Sequence, residues 1–304
     1  MIKNNFKNPI FDGADPCILF YEGKYYIYFT TETDRDIGDD NAFLTETAEG
    51  DGILVCCSTD LKNWENLGYA LKKGDVIGED RFWSPDVISH KGKFYMVYAA
   101  EEHIAVAVAD NPAGPFVQKE KKWLMERKAI DGRIFVDDDG VAYLYYVRLG
   151  NQIYVAKMKT NLLEIEEEYD DWLIYAQDAW ELVDCTVAEG PCMLKHKGKY
   201  YLSYSANHTR NENYAVGYAT ADNPLGPFKK YEGNPILSKK GKIVGVGGHS
   251  FVRLSDGTLI CAYHCHSGNP DNFRPRKCCL NTAKFVEREN GEDIIVIDGP
   301  YSEK

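Results

Sequence analysis

Hydrophobic and aromatic residues alternate with polar ones in short runs along the whole chain, and one such run recurs. It opens on a turn glycine and continues as an aromatic-rich alternating stretch: GKYYIYFTT from Gly23, GKFYMVYAA from Gly92, GVAYLYYVR from Gly140, GKYYLSYSA from Gly198 and, more weakly, DGTLICAYHC around Gly257. Period-2 alternation after a tight turn predicts a hairpin strand. A second β-rich run follows most copies and ends in a polar turn, as in LVCCSTDLKNW, IAVAVADNPAGPF, YVAKMKTNLLEI and AVGYATADNPLGPF. The two ADNPxGPF copies, from Ala109 and Ala221, are read as loops, because Asn-Pro and Gly-Pro break regular structure. The acidic stretch LLEIEEEYDDW at 162–172 is read as one helical turn or a loop.

Five copies in 304 residues give about sixty residues each. A blade of a β-propeller is four antiparallel strands, and such a unit fits that period with generous loops. The expectation is therefore all-β: a five-bladed β-propeller, a single domain over residues 1–304, with no linker. The period-2 alternation argues against a helical solenoid.

Composition sharpens this picture. The chain holds 21 Tyr, 13 Phe and 5 Trp, residue types that suit pleated, half-buried surfaces. A formal net charge of −12 argues against a nucleic-acid partner and does not hinder neutral sugars. No run of about 18 apolar residues predicts a membrane span. The first residues, MIKNNFKNPIF, lack an apolar signal region. Nine cysteines, several in apolar runs such as Cys56, Cys57 and Cys261, read as reduced thiols. Together these predict a cytoplasmic protein.

Candidate chemistry lies eight or nine residues before each turn glycine. The first strand of a propeller blade runs beside the central axis, so positions at that offset meet around the channel. They are Asp15, Asp131, Glu189 and His249, with Trp83 and Ser84 in the second repeat. A lone loop aspartate often only caps a turn. Three carboxylates converging on one axis repel each other, which a structural role does not explain. Glycoside hydrolysis needs a protonated carboxylic acid and an ionised carboxylate about the scissile bond. A third carboxylate can keep the acid protonated.

In these residues the chain resembles glycoside hydrolase family 43, five-bladed propellers acting on arabinosyl, xylosyl and related linkages of plant polysaccharides. GADP, with Asp15, is similar to the family's Asp-Pro motif, which implies a general base. AIDGRIF, with Asp131, resembles the motif whose Asp tunes and orients the acid, although Gly132 stands where many members have Pro. AEGP, with Glu189, resembles the motif of the general acid. WSPDV at 83–87, STDLKNW at 58–64 and GGHSF with His249 resemble further family segments. The resemblance implies that Arg276 reaches the sugar hydroxyls and the acidic cluster, where a guanidinium also offsets repulsion. Trp83 is a candidate to stack on a sugar ring, Trp64 a core or turn residue, and His208 a candidate subsite residue in a long loop. No cofactor is required. A calcium ion held through water at His249 is an option implied by relatives, although calcium prefers six to eight oxygen ligands. Zinc at the His264, Cys265 and His266 segment is disfavoured by the spacing.

The function expected is an inverting hydrolase releasing terminal pentose from plant-derived oligosaccharides. The chain ends soon after the fifth repeat, without the β-sandwich of the family's larger β-xylosidases. α-L-Arabinofuranosidase is the first choice and β-xylosidase the second. The alternatives are a non-catalytic carbohydrate-binding propeller and a retaining sucrose-type propeller glycosidase. The latter's Asn-Asp-Pro, Arg-Asp-Pro and Glu-Cys signatures are replaced here by GADP, AIDG and AEGP.

Overall fold

The computed structural model describes residues 6–31, 51–148, 151–269, 272–289 and 291–300. A short strand, β1 (Phe11–Asp12), precedes five antiparallel sheets. Blade 1 is β2 (Ala14–Tyr21), β3 (Lys24–Thr30), β4 (Gly52–Ser58) and β5 (Glu65–Lys72). Blade 2 has three strands, β6 (Trp83–His90), β7 (Lys93–Ala100) and β8 (His103–Ala109). Blade 3 is β9 (Ala129–Val136), β10 (Ala142–Arg148), β11 (Gln152–Met158) and β12 (Ile165–Glu168). Blade 4 is β13 (Ala188–His196), β14 (Lys199–Ala206), β15 (Ala215–Ala221) and β16 (Lys229–Lys230). Blade 5 contains β17 (Gly247–Arg253), β18 (Leu259–Cys265) and β19 (Lys277–Val286), with β20 (Ile294–Ile297) on its edge. The innermost strands β2, β6, β9, β13 and β17 each touch the next around a closed ring.

The recurring aromatic runs are the second strands, β3, β7, β10, β14 and β18. Each sheet is covered on both faces by its neighbours, so both sets of alternating side chains are buried. The core is correspondingly divided into five apolar clusters, one between each pair of adjacent blades. Tyr28, Tyr98, Tyr145, Tyr204 and Tyr263 are fully buried there. A buried hydroxyl needs a partner, and this accounts for the two ADNPxGPF loops. Tyr28 of blade 1 donates to the Pro112 carbonyl, and Tyr145 of blade 3 donates to the Pro224 carbonyl at 2.8 Å. Each loop thus latches its blade to the preceding one.

The ring closes by mixing the two ends of the chain. β1 pairs with β19 (Phe11 opposite Cys278, Asp12 opposite Lys277), while β20 pairs with the far end of the same strand. The acidic stretch is neither a helical turn nor a loop at its centre: Ile165–Glu168 is the outer strand of blade 3. Lys157 and Arg127 neutralise Glu166 and Glu168. Charged side chains on an outermost strand also discourage pairing with other chains.

Candidate active site

Each inner strand carries an irregularity at the same level. Register shifts between Ala14 and Cys17, Trp83 and Asp86, Ile130 and Arg133, Glu189 and Cys192, and Gly247 and Ser250. The first residue inside each bulge has a left-handed backbone: Asp15 (φ 48°), Ser84 (38°), Asp131 (55°), Gly190 (59°) and Gly248 (54°). A bulge re-aims side chains, and non-glycine residues held in this region mark sites where the surroundings enforce the conformation. Gly248 has no alternative, because a Cβ there would lie 2.4 Å from Asp15 Oδ1 and 2.6 Å from the His264 ring.

Asp15, Ser84 and Asp131 are therefore structurally equivalent, whereas Glu189 precedes the bulge residue and His249 follows it. Counting back from the turn glycine misaligns these two because the turns differ. Blades 1, 2 and 4 turn between directly paired residues such as Tyr21 and Lys24, while blade 3 spans Val136 to Ala142 and blade 5 Arg253 to Leu259.

The three carboxylates line one pocket, together with Trp83, Tyr214, Thr209, Arg133, Arg274 and Arg276. Asp15 Oδ2 accepts from Thr30 Oγ1 at 2.9 Å. Its Oδ1 lies 3.2 Å from His264 Nδ1 and 3.4 Å from Arg276 Nη1. Burial alone would raise its pKa; the Arg276 charge and the His264 contacts outweigh this and hold the carboxyl well below the usual range. Asp131 accepts from the Ser84 hydroxyl and from the Gly190 N–H at 2.9 Å. Burial and the nearby Asp15 charge push its pKa up. Glu189 Oε1 accepts from the Tyr214 hydroxyl at 2.8 Å. Burial, then the Asp131 charge, raises its pKa from 4.5 to about 8. The pocket thus holds an ionised carboxylate and a carboxyl that is protonated at neutral pH. That combination can deliver a proton to one oxygen while accepting one from another.

Ser84 and Thr30 connect the two aspartates: the Ser84 N–H donates to Thr30 Oγ1 at 2.8 Å, and the Ser84 hydroxyl reaches Asp131. Arg276 sits beside Asp15 and also bonds Thr209 Oγ1 at 3.3 Å. Trp83 lines the pocket with the Arg81 guanidinium 5.9 Å from its ring centroid.

Two sequence candidates lie elsewhere. His249 is fully buried and does not line the pocket; it follows the bulge residue, and its Nε2 lies 2.7 Å from Ser203 Oγ. His208 does not line the pocket; its Nδ1 accepts the Arg210 N–H within its own loop. The surroundings of His249 do not suit calcium. It offers a single ring nitrogen, Nδ1, without a hydrogen-bond partner, and the Arg133 guanidinium is close enough to depress its pKa further after burial, to about 3. Calcium needs an oxygen-rich cage, and no cluster of three or more His, Cys, Asp or Glu is placed for a metal among the described residues.

Sequence reasoning did not single out Tyr214 or Thr209 and considered His264 only as a zinc ligand. His264 and His266 alternate with Cys265 along β18 and beyond it, so the two rings share a side. His264 meets Asp15 and Thr209, while His266 Nε2 meets the Thr209 carbonyl at 2.8 Å. Cys265 turns away to lie 3.6 Å from Cys279. The signal available was that alternation, together with the position of His264 at the end of a second strand.

The sequence model of glycosyl hydrolases family 43 matches residues 6–289. A xylosidase/arabinosidase of Bacteroides ovatus is 29% identical, with 94% of this chain and 95% of that protein covered. An arabinoxylan arabinofuranohydrolase of Paenibacillus polymyxa is 30% identical over 80% of this chain, which spans only 43% of that longer protein. Among solved structures, an endo-1,4-beta-xylanase of Bacteroides thetaiotaomicron superposes with a TM-score of 0.82 at 39% identity, covering 96% of both chains.

Proposed function

The chain belongs to glycosyl hydrolases family 43, and from that membership we propose that it is an inverting glycosidase releasing terminal pentose from arabinose- and xylose-containing oligosaccharides. The observation that carries the reading is the pair of opposite protonation states about one pocket, Asp15 ionised and Glu189 protonated. Glu189 gives its proton to the leaving oxygen as the bond to the anomeric carbon breaks. A water on the opposite face forms the new bond while Asp15 takes its proton. Asp131, which accepts the N–H of Gly190 next to Glu189, holds Glu189 protonated through its charge. Arg276 and His264 keep Asp15 ionised, and Trp83 offers an apolar ring to the sugar face.

α-L-Arabinofuranosyl and then β-D-xylosyl groups are the proposed substrates, in keeping with the names of the Bacteroides ovatus and Paenibacillus relatives. The nine free thiols support a reducing, cytoplasmic setting. A purely sugar-binding propeller would gain nothing from a carboxyl held near pKa 8.

The test is a panel of chromogenic pentosides and hexosides, arabino- and xylo-oligosaccharides, and proton NMR of a fresh digest. Release of single pentoses with the inverted anomer is expected, without transfer to added alcohol. Early appearance of the retained anomer would remove Asp15 as base; binding without turnover across the panel would favour the non-catalytic alternative.

A further inference from the structure

Four large apolar side chains, Trp172, Tyr175, Leu182 and Val183, stand 43–56% exposed on the segment that joins β12 to β13. They are half of the large hydrophobic residues exposed among the described residues, gathered in one short stretch of chain. A cluster of this kind marks a surface that meets a ligand or a partner.

We infer that this segment is a ledge that binds the sugar chain on the leaving side of the scissile bond, outside the catalytic pocket. The inference rests on the glycosidase reading above and deepens it.

Hydrogen bonds place the ledge beside the pocket. Asn207, fully buried at the end of β14, accepts the N–H of Val183 at 3.0 Å and of Asp184 at 3.3 Å. Its own amide donates to the carbonyls of Trp180 and Asn213. Asn207 thereby ties the ledge to the loop that supplies Thr209 and Tyr214 to the pocket wall. From Asp184 the chain runs on into β13 and Glu189. At the other end of the ledge, the Leu173 N–H donates to the Ile153 carbonyl at 2.7 Å, and the Ile153 N–H donates to the Ile174 carbonyl at 2.9 Å. Trp172 therefore stands at the start of β11, the third strand of blade 3, two strand spacings or about 10 Å outward from β9. This is the end of the blade at which Asn151 accepts the N–H of Ala188, next to Glu189. The four apolar residues thus lead outward from the pocket mouth.

The ledge is also fixed in shape. The buried Glu181 carboxylate accepts the N–H groups of Gln177 and Asp178, the Tyr204 hydroxyl and the Lys230 ammonium. Lys230 donates to the Tyr175 carbonyl as well. A surface ordered in advance loses little freedom when a ligand settles on it.

The direction is that of the leaving group. Glu189 protonates the leaving oxygen, so the rest of the oligosaccharide lies on the Glu189 side of the pocket, and the ledge leads into the strand that carries Glu189. The Trp172 and Tyr175 rings meet edge to face, 5.8 Å between centroids, and offer apolar surface to the C–H face of a sugar ring. Exposed Gln177, Asp184 and Thr186 lie among them to meet hydroxyls. The exposed carboxylates Asp171 and Asp184 suit a neutral sugar chain and repel an anionic one.

The test measures kcat/KM on an aryl pentoside and on oligosaccharides of increasing length for the wild type, Trp172→Ala, Trp172→Phe and Val183→Asp. Relative to the aryl pentoside, Trp172→Ala should lose about tenfold on the longest oligosaccharides, the scale of one stacking contact. The loss should fall on KM and shrink as the substrate shortens, and Trp172→Phe should recover most of it. Val183 is nearer the pocket, so Val183→Asp should show its loss at shorter lengths than Trp172→Ala. Losses that do not depend on length, or no loss, overturn the inference. Both side chains are more than half exposed, so both variants should fold; if one does not, the other decides. A patch that joins two copies of the chain would instead show in sedimentation, with Trp172→Ala shifting the oligomeric state and leaving the length profile unaltered, and that result also overturns the inference. A wild type that hydrolyses none of the oligosaccharides strikes the glycosidase reading. Calorimetric binding of the longest oligosaccharide then decides the ledge, and equal affinity in the wild type and Trp172→Ala overturns it.

Discussion

Replacing Asp131 by Asn isolates the electrostatic work of the third carboxylate. Asn can accept the Gly190 N–H and donate to Ser84 Oγ, so both contacts of Asp131 survive while its charge does not. Glu189 is displaced from 4.5 to about 8, first by burial and next by the Asp131 charge. That displacement amounts to roughly 5 kcal/mol favouring the protonated acid. Burial remains in the variant. The lost part is the repulsion of one adjacent carboxylate, which is worth about 1–2 pH units. The alkaline limb of kcat/KM, which reports the free enzyme's acid, should fall from near pH 8 to about pH 6–7, with a lower maximum. The assay is a pH–rate profile on an aryl pentoside, with circular dichroism at each pH to establish that the fold persists. An alkaline limb that stays at its wild-type position would refute the reasoning and leave Asp131 a purely structural residue.

The other variants separate acid from base and catalysis from stability. Asp15→Asn and Glu189→Gln should each lower kcat by on the order of 10²–10⁴. The Glu189→Gln loss should shrink on aryl glycosides whose leaving group needs no proton, whereas the Asp15→Asn loss should not; equal losses on every substrate would reverse or remove the assignment. Glu189→Gln should also stabilise the fold at high pH. The folded state keeps a proton on Glu189 that the unfolded chain loses, so this group's contribution is present below about pH 4.5 and is lost as pH rises to about 8. Urea unfolding at pH 8.5 should find the variant more stable by roughly 2–4 kcal/mol, with the difference absent near pH 4. Equal stability at both values would mean that Glu189 is not held protonated.

The repeat of aromatic strands determined the architecture by itself, because a sheet covered on both faces must alternate large buried residues at a period of two, and five copies leave only a ring of five blades. The three carboxylates were legible for a related reason: charged residues at the inner end of a strand have no apolar core to join and stand out against it. The acidic stretch at 165–168 misled because an outermost strand needs no buried face, so its composition carries no strand signal. The level of each residue on the axis was beyond the sequence. A bulge and turns of unequal length shift Glu189 and His249 by one residue in opposite directions, and a shift of one turns a side chain to the other face. Glu189, one residue before its bulge residue, still enters the pocket, whereas His249, one residue after its own, is buried outside it. The partners that fix the protonation states, Tyr214 with Glu189 and His264 with Asp15, lie 25 and 249 residues away along the chain. Only closure of the ring brings them into contact, so only the tertiary structure decides which carboxyl is the acid.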